Sequence, residues 1–167
     1  PKSIDYEYFY NNPLIHRTER INYPFTQIYF LKNFLTDYEC KKLIDCINQS
    51  TRKSTLANDK DEAVTSDYRT SETADLHYFP EQHKVYCEWM GQRTWTTMMY
   101  LNHVEEGGET YFKHLNLKVK PETGLLLAWN NLYRDGKPNY KTMHEALPPI
   151  KGDKYVITKW WRSWPLI

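Results

Sequence analysis

The sequence predicts a mostly β jelly roll with a helix packed on its outside. Three observations carry that expectation. Short β-branched and aromatic runs recur through the C-terminal half, punctuated by Pro, Gly and Asn. No helical pattern separates those runs, so neighbouring strands pair antiparallel. A single well-capped amphipathic helix precedes them, placed to cover one face of a sandwich.

The elements follow in chain order. Residues 1–25 read as an extended N-terminal arm and 26–167 as one folded domain. Gln27 to Leu31 (QIYFL) is a buried strand. Thr36 and Glu39 form a T-x-x-E capping box with Leu35 as the staple residue, which starts a helix. Cys40, Leu43, Ile44 and Ile47 then recur at i, i+3, i+4 and i+7, one apolar face ending near Gln49. Residues 50–65 are polar and aperiodic, a loop. Arg93 to Leu101 is a long strand. The Glu105–Gly108 turn leads into Thr110–Phe112, followed by short strands at Leu115–Val119, Gly124–Trp129, Met143–Ala146 and Lys154–Trp161.

Composition narrows the function. The 167 residues make one domain, with 22 basic and 21 acidic side chains and a net charge of +1. That balance argues against nucleic acid or an anionic membrane as the main partner. No apolar run approaches the ~18 residues of a membrane span. Pro1 to Asn12 is tyrosine-rich and acidic, unlike a signal peptide, and Pro1 implies that the gene's own start lies elsewhere. Cys40, Cys46 and Cys87 are an odd number, and the first two lie on roughly opposite faces of the helix. Three reduced thiols in a cytoplasmic setting are expected.

The chemistry concentrates in the last third. Alternation along the final strand puts Lys154, Val156, Thr158 and Trp160 on one face. Val156 and Trp160 favour burial, which turns Lys154 inward, where an ammonium needs an anion. No acidic side chain at matching parity is an obvious partner, and a bound dicarboxylate would serve. The alternative is a lysine at the strand's mouth that snorkels to water. His144, taken alone, reads more readily as a structural histidine than as a ligand; its company with Lys154, Thr110 and Trp160 reverses that.

Several ordered motifs resemble the prolyl 4-hydroxylase catalytic domain. They are Gln92–Arg93, Tyr100–Leu101–Asn102, Glu105–Glu106–Gly107–Gly108–Glu109–Thr110, His144–Glu145–Ala146–Leu147–Pro148, Lys151–Gly152–Asp153–Lys154–Tyr155 and Thr158–Lys159–Trp160. Phe34–Leu35 and Arg69–Thr70–Ser71 upstream are similar to the same family, so the match runs from about Phe30 onward. The resemblance implies a double-stranded β-helix dioxygenase using Fe(II), 2-oxoglutarate and O₂, with ascorbate as an accessory. It implies that His144 is the distal histidine of a two-His, one-carboxylate iron site. It implies that Lys154 and Thr110 hold the far carboxylate of 2-oxoglutarate, and that Arg93 and Trp160 hold a proline-containing peptide at the mouth. The implied reaction gives 4-hydroxyproline and succinate.

One part of the family pattern is missing. The other two iron ligands come from an H-x-D motif, and none of His16, His77, His83, His103, His114 or His144 has Asp two residues later. Around Tyr78–Phe79 the start of one family segment abuts the end of another. Either a segment carrying the H-x-D strand belongs to the protein at this point, or the deletion is real and the chain is a noncatalytic binding module. A sandwich without a core strand leaves backbone groups unpaired, which favours the former. His103–Val104–Glu105 is an H-x-E, but it abuts an acidic turn and reads as surface. His114 reads as surface polar. Trp89, Trp95, Trp129, Trp161 and Trp164 are core or rim aromatics that, with Tyr68 and Tyr78, also suit a groove for a polyproline II peptide. Ser50 to Tyr78 is either a lid over that groove or an ordinary loop. A cupin-like metal enzyme is disfavoured, because it has no use for a distal dicarboxylate clamp.

Overall fold

A computed structural model describes residues 18–23, 26–49, 51–53, 56–57, 63–64, 72–74 and 93–162. Two antiparallel sheets face each other. The larger has the order β1 (Thr18–Tyr23), β2 (Thr26–Leu31), β11 (Leu126–Asn130), β7 (Arg93–Tyr100), β14 (Val156–Arg162). The smaller runs β10 (Leu117–Val119), β9 (Thr110–Phe112), β12 (His144–Ala146). A third pairing, β8 (Glu106–Gly107) with β13 (Pro149–Lys151), ties the acidic turn to the chain leaving β12.

The core lies between the two sheets. Ile28, Tyr100, Phe112, Val119, Leu125, Leu127 and Trp129 form one buried cluster. Phe112 from the small sheet meets Trp129 from the large one edge-on, with ring centroids 5.5 Å apart. That geometry favours both rings beyond the area they bury.

Helix α1 (Asp37–Gln49) starts as the capping box requires. The Thr36 N–H and hydroxyl donate to Glu39 Oε2, each at 2.8 Å, and the Glu39 N–H donates to Thr36 Oγ1 at 3.3 Å. Hydrogen bonding from Thr36 holds the Glu39 carboxyl below the usual range. Cys40 is buried, with Leu43, Ile44 and Ile47 half-buried behind it on the same face. Gly124 fixes the entry to the helix: its carbonyl accepts from Phe34 N at 2.8 Å. Its φ is +74°, and a Cβ there would collide with the Leu35 carbonyl.

Four expectations need correction. The polar stretch 50–65 is not simply loop. Thr51–Lys53 (β3) pairs with Glu72–Ala74 (β6), and Leu56–Ala57 (β4) pairs with Ala63–Val64 (β5). Ladders of two or three residues are too short for a periodic signal. The end of the arm, Thr18–Tyr23, is the edge strand of the large sheet. Lys113–Leu115 is a 3₁₀ turn ended by Asn116 at φ 48°, so the strand beyond it starts at Leu117. The last strand begins at Val156, leaving Lys154 just ahead of it.

Candidate active site

Directly paired residues share a sheet face. On that rule Val156, Thr158 and Trp160 of β14 lie opposite Tyr100, Met98 and Thr96 and point between the sheets. His144 and Ala146 of β12 lie opposite Phe112 and Thr110 and point inward as well. Tyr100, Thr96, Phe112 and Thr110 are buried, whereas Thr158, Trp160, His144 and Ala146 are exposed. Among the described residues β12 and β14 are each the last strand of their sheet. Among the described residues nothing covers the inward-facing side chains of these two strands.

Lys154 sits just ahead of β14. Asn102 clamps the chain on both sides of it: the side-chain amide donates to the Asp153 carbonyl at 2.7 Å, and its oxygen accepts from the Tyr155 N–H at 2.8 Å. The Leu101 N–H adds a bond to the Tyr155 carbonyl at 3.0 Å. Gly108, at φ +75°, passes close to the lysine stem; a Cβ there would lie 3.6 Å from Lys154 Cδ. So held, Lys154 Nζ is buried and has no hydrogen-bond partner among the described residues. Its nearest described feature is the Tyr100 ring, whose centroid is 5.6 Å away. Burial pulls the ammonium down to about 8 against the pull of Glu109 in the other direction.

Beside it, the Tyr100 hydroxyl donates to Thr110 Oγ1 at 2.6 Å. Burial pushes that phenol up to about 12, so it remains a donor. With its acceptor role taken by Tyr100, the Thr110 hydroxyl has its proton free. The group it points to is Met98 Sδ at 3.8 Å, a weak acceptor. A buried cation and a hydroxyl proton held only by a weak thioether acceptor thus lie against the same Tyr100 side chain. That arrangement suits a carboxylate.

His144 lies two residues along β12 from the partner of Thr110. Its ring packs against Trp129 at 4.7 Å and Phe112 at 5.6 Å, open along one edge. Nδ1 is 2.9 Å from the Thr142 carbonyl, which can only accept, so Nδ1 carries the proton and Nε2 a lone pair. Although the residue as a whole is exposed, Trp129 and Phe112 desolvate the ring and lower its proton affinity; the Thr142 bond opposes this, and the charge of Lys154 adds to the lowering. A neutral ring with a bare Nε2 is what a metal ligand requires.

Arg93 and Trp160 meet at the mouth, the guanidinium 4.0 Å from the indole centroid. Trp160 is not buried, as its parity alone would have it; it is 47% exposed because nothing described covers the inner face of β14. Trp161, on the opposite face, is a rim aromatic whose Nε1 donates to Thr97 Oγ1 at 3.3 Å.

The structure thus brings together Lys154, Thr110 and His144, with Arg93 and Trp160 as a pair at the entrance. Tyr100 and Asn102 belong to the site but escaped sequence reasoning, though both stand in the Tyr100–Leu101–Asn102 motif. Lys154, Thr110 and Tyr100 fit the far carboxylate of 2-oxoglutarate. Iron fits in one position only: His144 suits a ligand, but no cluster of three metal-ligating side chains occurs among the described residues. The H-x-E alternative is not poised either, since Glu105 is paired with Lys151 and His103 is exposed. His114 is exposed. His16, His77, His83, Trp89, Trp164, Cys87, Tyr68 and Tyr78 lie outside the described residues, as does most of the 50–78 segment.

Comparison with known proteins agrees with the geometry. A sequence model of the 2OG-Fe(II) oxygenase superfamily matches residues 68–162. Prolyl 4-hydroxylase 13 of Arabidopsis thaliana is 27% identical over 214 residues, covering 90% of this chain and 78% of that protein. Prolyl 4-hydroxylase subunit alpha-3 of Homo sapiens is 43% identical over 70 residues, covering 42% of this chain but only 13% of its own length. The chain therefore spans a small part of that subunit. Among solved structures, a viral collagen prolyl hydroxylase from Paramecium Bursaria Chlorella virus-1, in complex with 2OG, superposes with a TM-score of 0.55 at 22% identity, covering 80% of this chain and 93% of that one. This likeness shows the fold, a double-stranded β-helix.

Proposed function

The chain belongs to the 2OG-Fe(II) oxygenase superfamily, and we propose on that footing that it is a prolyl 4-hydroxylase-type dioxygenase domain. It takes 2-oxoglutarate as co-substrate and hydroxylates proline in a peptide or protein. One observation carries the reading: the buried Lys154 ammonium, without a hydrogen-bond partner among the described residues, beside the Tyr100–Thr110 hydroxyl pair. In this reading Lys154 and Thr110 bind the far carboxylate and Tyr100 orients Thr110. His144 offers Nε2 to iron, which supplies the oxidising chemistry when bound. Arg93 and Trp160 present a flat cationic and aromatic surface to the extended peptide. Ascorbate as accessory reductant and a cytoplasmic setting are proposed with it.

The remaining two iron ligands are proposed to lie on a segment inserted near Tyr78–Phe79. Two observations support this. The alignment to the Arabidopsis protein is 214 residues long yet uses 90% of a 167-residue chain, about 150 residues, so about 60 of its positions face gaps here. Among the described residues β12 and β14 each end their sheet, and such an edge can accept one more strand. The test is succinate formation from 2-oxoglutarate with a proline-containing peptide, for the natural chain and for Lys154→Ala. Lys154→Ala is expected to raise the 2-oxoglutarate requirement steeply while the fold stays intact. An unchanged requirement removes the clamp. Peptide mapping of the natural protein locates the ligands: extra peptides between Tyr78 and Phe79 support the inserted segment, and a peptide that joins the two directly rejects it.

A further inference from the structure

We infer that Thr142, held in place by Asn130 and Asn139, is the positioning residue that fixes the tautomer and orientation of His144. This rests on the reading of His144 as the residue that offers Nε2 to the site, and adds what makes that offer possible. Asn130, at the end of β11, Asn139 and Thr142 are all at least nine-tenths buried. Buried polar side chains persist where they are fully bonded, and these are.

The Thr142 hydroxyl lies 2.9 Å from the Asn130 carbonyl and 3.0 Å from the Asn139 carbonyl. Asn139 Nδ2 donates toward Asn130 Oδ1 at 3.1 Å and the Asn130 carbonyl at 3.3 Å. Asn139 Oδ1 caps the 3₁₀ turn Tyr140–Thr142 by accepting from Lys141 N at 3.2 Å. The backbone closes the loop: Asn139 N donates to the Asn131 carbonyl at 2.8 Å, and Thr142 N to the Asn139 carbonyl at 3.1 Å. Asn130 Oδ1 in turn accepts from Gln27 N at 2.8 Å, which anchors the network to β2.

Every one of these bonds restrains one turn, and that turn carries the carbonyl that accepts from His144 Nδ1. Trp129 and Phe112 restrict how the ring tilts but cannot choose which nitrogen holds the proton, because neither presents an acceptor to it. The choice belongs to the Thr142 carbonyl. If the turn loosens, the ring is released to protonate Nε2 instead, and the lone pair facing the site is lost.

The test is long-range ¹H–¹⁵N correlation of histidine-labelled protein without metal, at a pH where the ring is neutral. The wild-type protein is expected to show His144 as the Nδ1–H form alone. Thr142→Val keeps the shape and removes the hydroxyl; it is expected to lose that exclusivity, with an Nε2–H form appearing, and Thr142→Ser to restore it. A Thr142→Val protein that keeps the single Nδ1–H form overturns the inference. If that variant does not fold, the wild-type spectrum decides, because a dominant Nε2–H form there overturns it equally. Failure of the functional reading is separate: His144→Ala that still turns over 2-oxoglutarate rejects His144 as a ligand and leaves the tautomer result standing.

Discussion

Replacing Lys154 by Met separates binding from stability in a way few substitutions do. The two side chains are similar in length, so the Met stem fills the channel along Gly108 and over Tyr100. What is lost is one charge-assisted bond to the far carboxylate, worth about 1.5–3 kcal/mol. At 1.4 kcal/mol per decade, 2-oxoglutarate affinity falls by about 10- to 100-fold. Stability moves the other way. In the ligand-free protein the ammonium is buried without a hydrogen-bond partner among the described residues. Replacing it by an apolar group removes that desolvation cost, so the melting temperature stays level or rises, by the equivalent of about 1 kcal/mol. Calorimetric titration with 2-oxoglutarate gives the first quantity and thermal unfolding without ligand the second. Ligand at 100 times Kd stabilises the wild-type protein by about 2.7 kcal/mol, and at the same concentration Lys154→Met should keep only about 0.4–1.4 kcal/mol of this. Wild-type affinity in the variant, or a large loss of ligand-free stability, would show that Lys154 is a structural residue and refute the clamp.

Three further outcomes are expected. The affinity for 2-oxoglutarate should be full below pH 8 and fall as pH rises through about 8, by up to about tenfold per unit, because the free lysine must regain its proton to bind. Titrations across pH 6.5–9.5, a range of about three units, check this against Lys154→Met, whose weaker binding should lack that dependence. Tyr100→Phe deletes the 2.6 Å bond to Thr110 in a buried setting, which should cost about 0.5–1.5 kcal/mol of stability in denaturant melts and weaken 2-oxoglutarate by a similar free energy. Trp160→Ala removes an exposed ring beneath Arg93, so the peptide KM should rise while 2-oxoglutarate affinity measured by titration stays at the wild-type value.

The sign of the lysine effect also reaches folding. Its proton affinity in the folded chain lies below that in the unfolded chain, so folding expels a proton between about pH 8 and 10.5. Stability of the ligand-free protein therefore rises with pH across that window, and saturating 2-oxoglutarate should abolish the rise.

What the sequence revealed and what it hid divide along physical lines. Thr36, Glu39 and the Cys40–Ile47 stripe are local signals, readable because capping and helical periodicity act over a few residues, and helix α1 starts and ends where they place it. The strands at Arg93, Thr110, Leu126 and His144 were legible as well. Lys154 was legible as an inward lysine in want of an anion, although it precedes the strand instead of opening it. Trp160 was misread because face parity tells which way a side chain points and not whether anything covers it. The short pairings of residues 51–74 gave no pattern to read. The roles of Tyr100, Asn102 and Thr142 depend on partners 10 residues away, 51 and 53 away, and on a backbone carbonyl, none of which alternation encodes.

The most direct measurement is Fe(II)-dependent turnover of 2-oxoglutarate by the natural protein in the presence of a proline-containing peptide, following succinate and 4-hydroxyproline together. The account predicts that both appear in step, that both require Fe(II), and that both fall with Lys154→Met. Tight binding of 2-oxoglutarate with no succinate and no hydroxyproline would contradict it, leaving a dicarboxylate-binding module in place of an oxygenase.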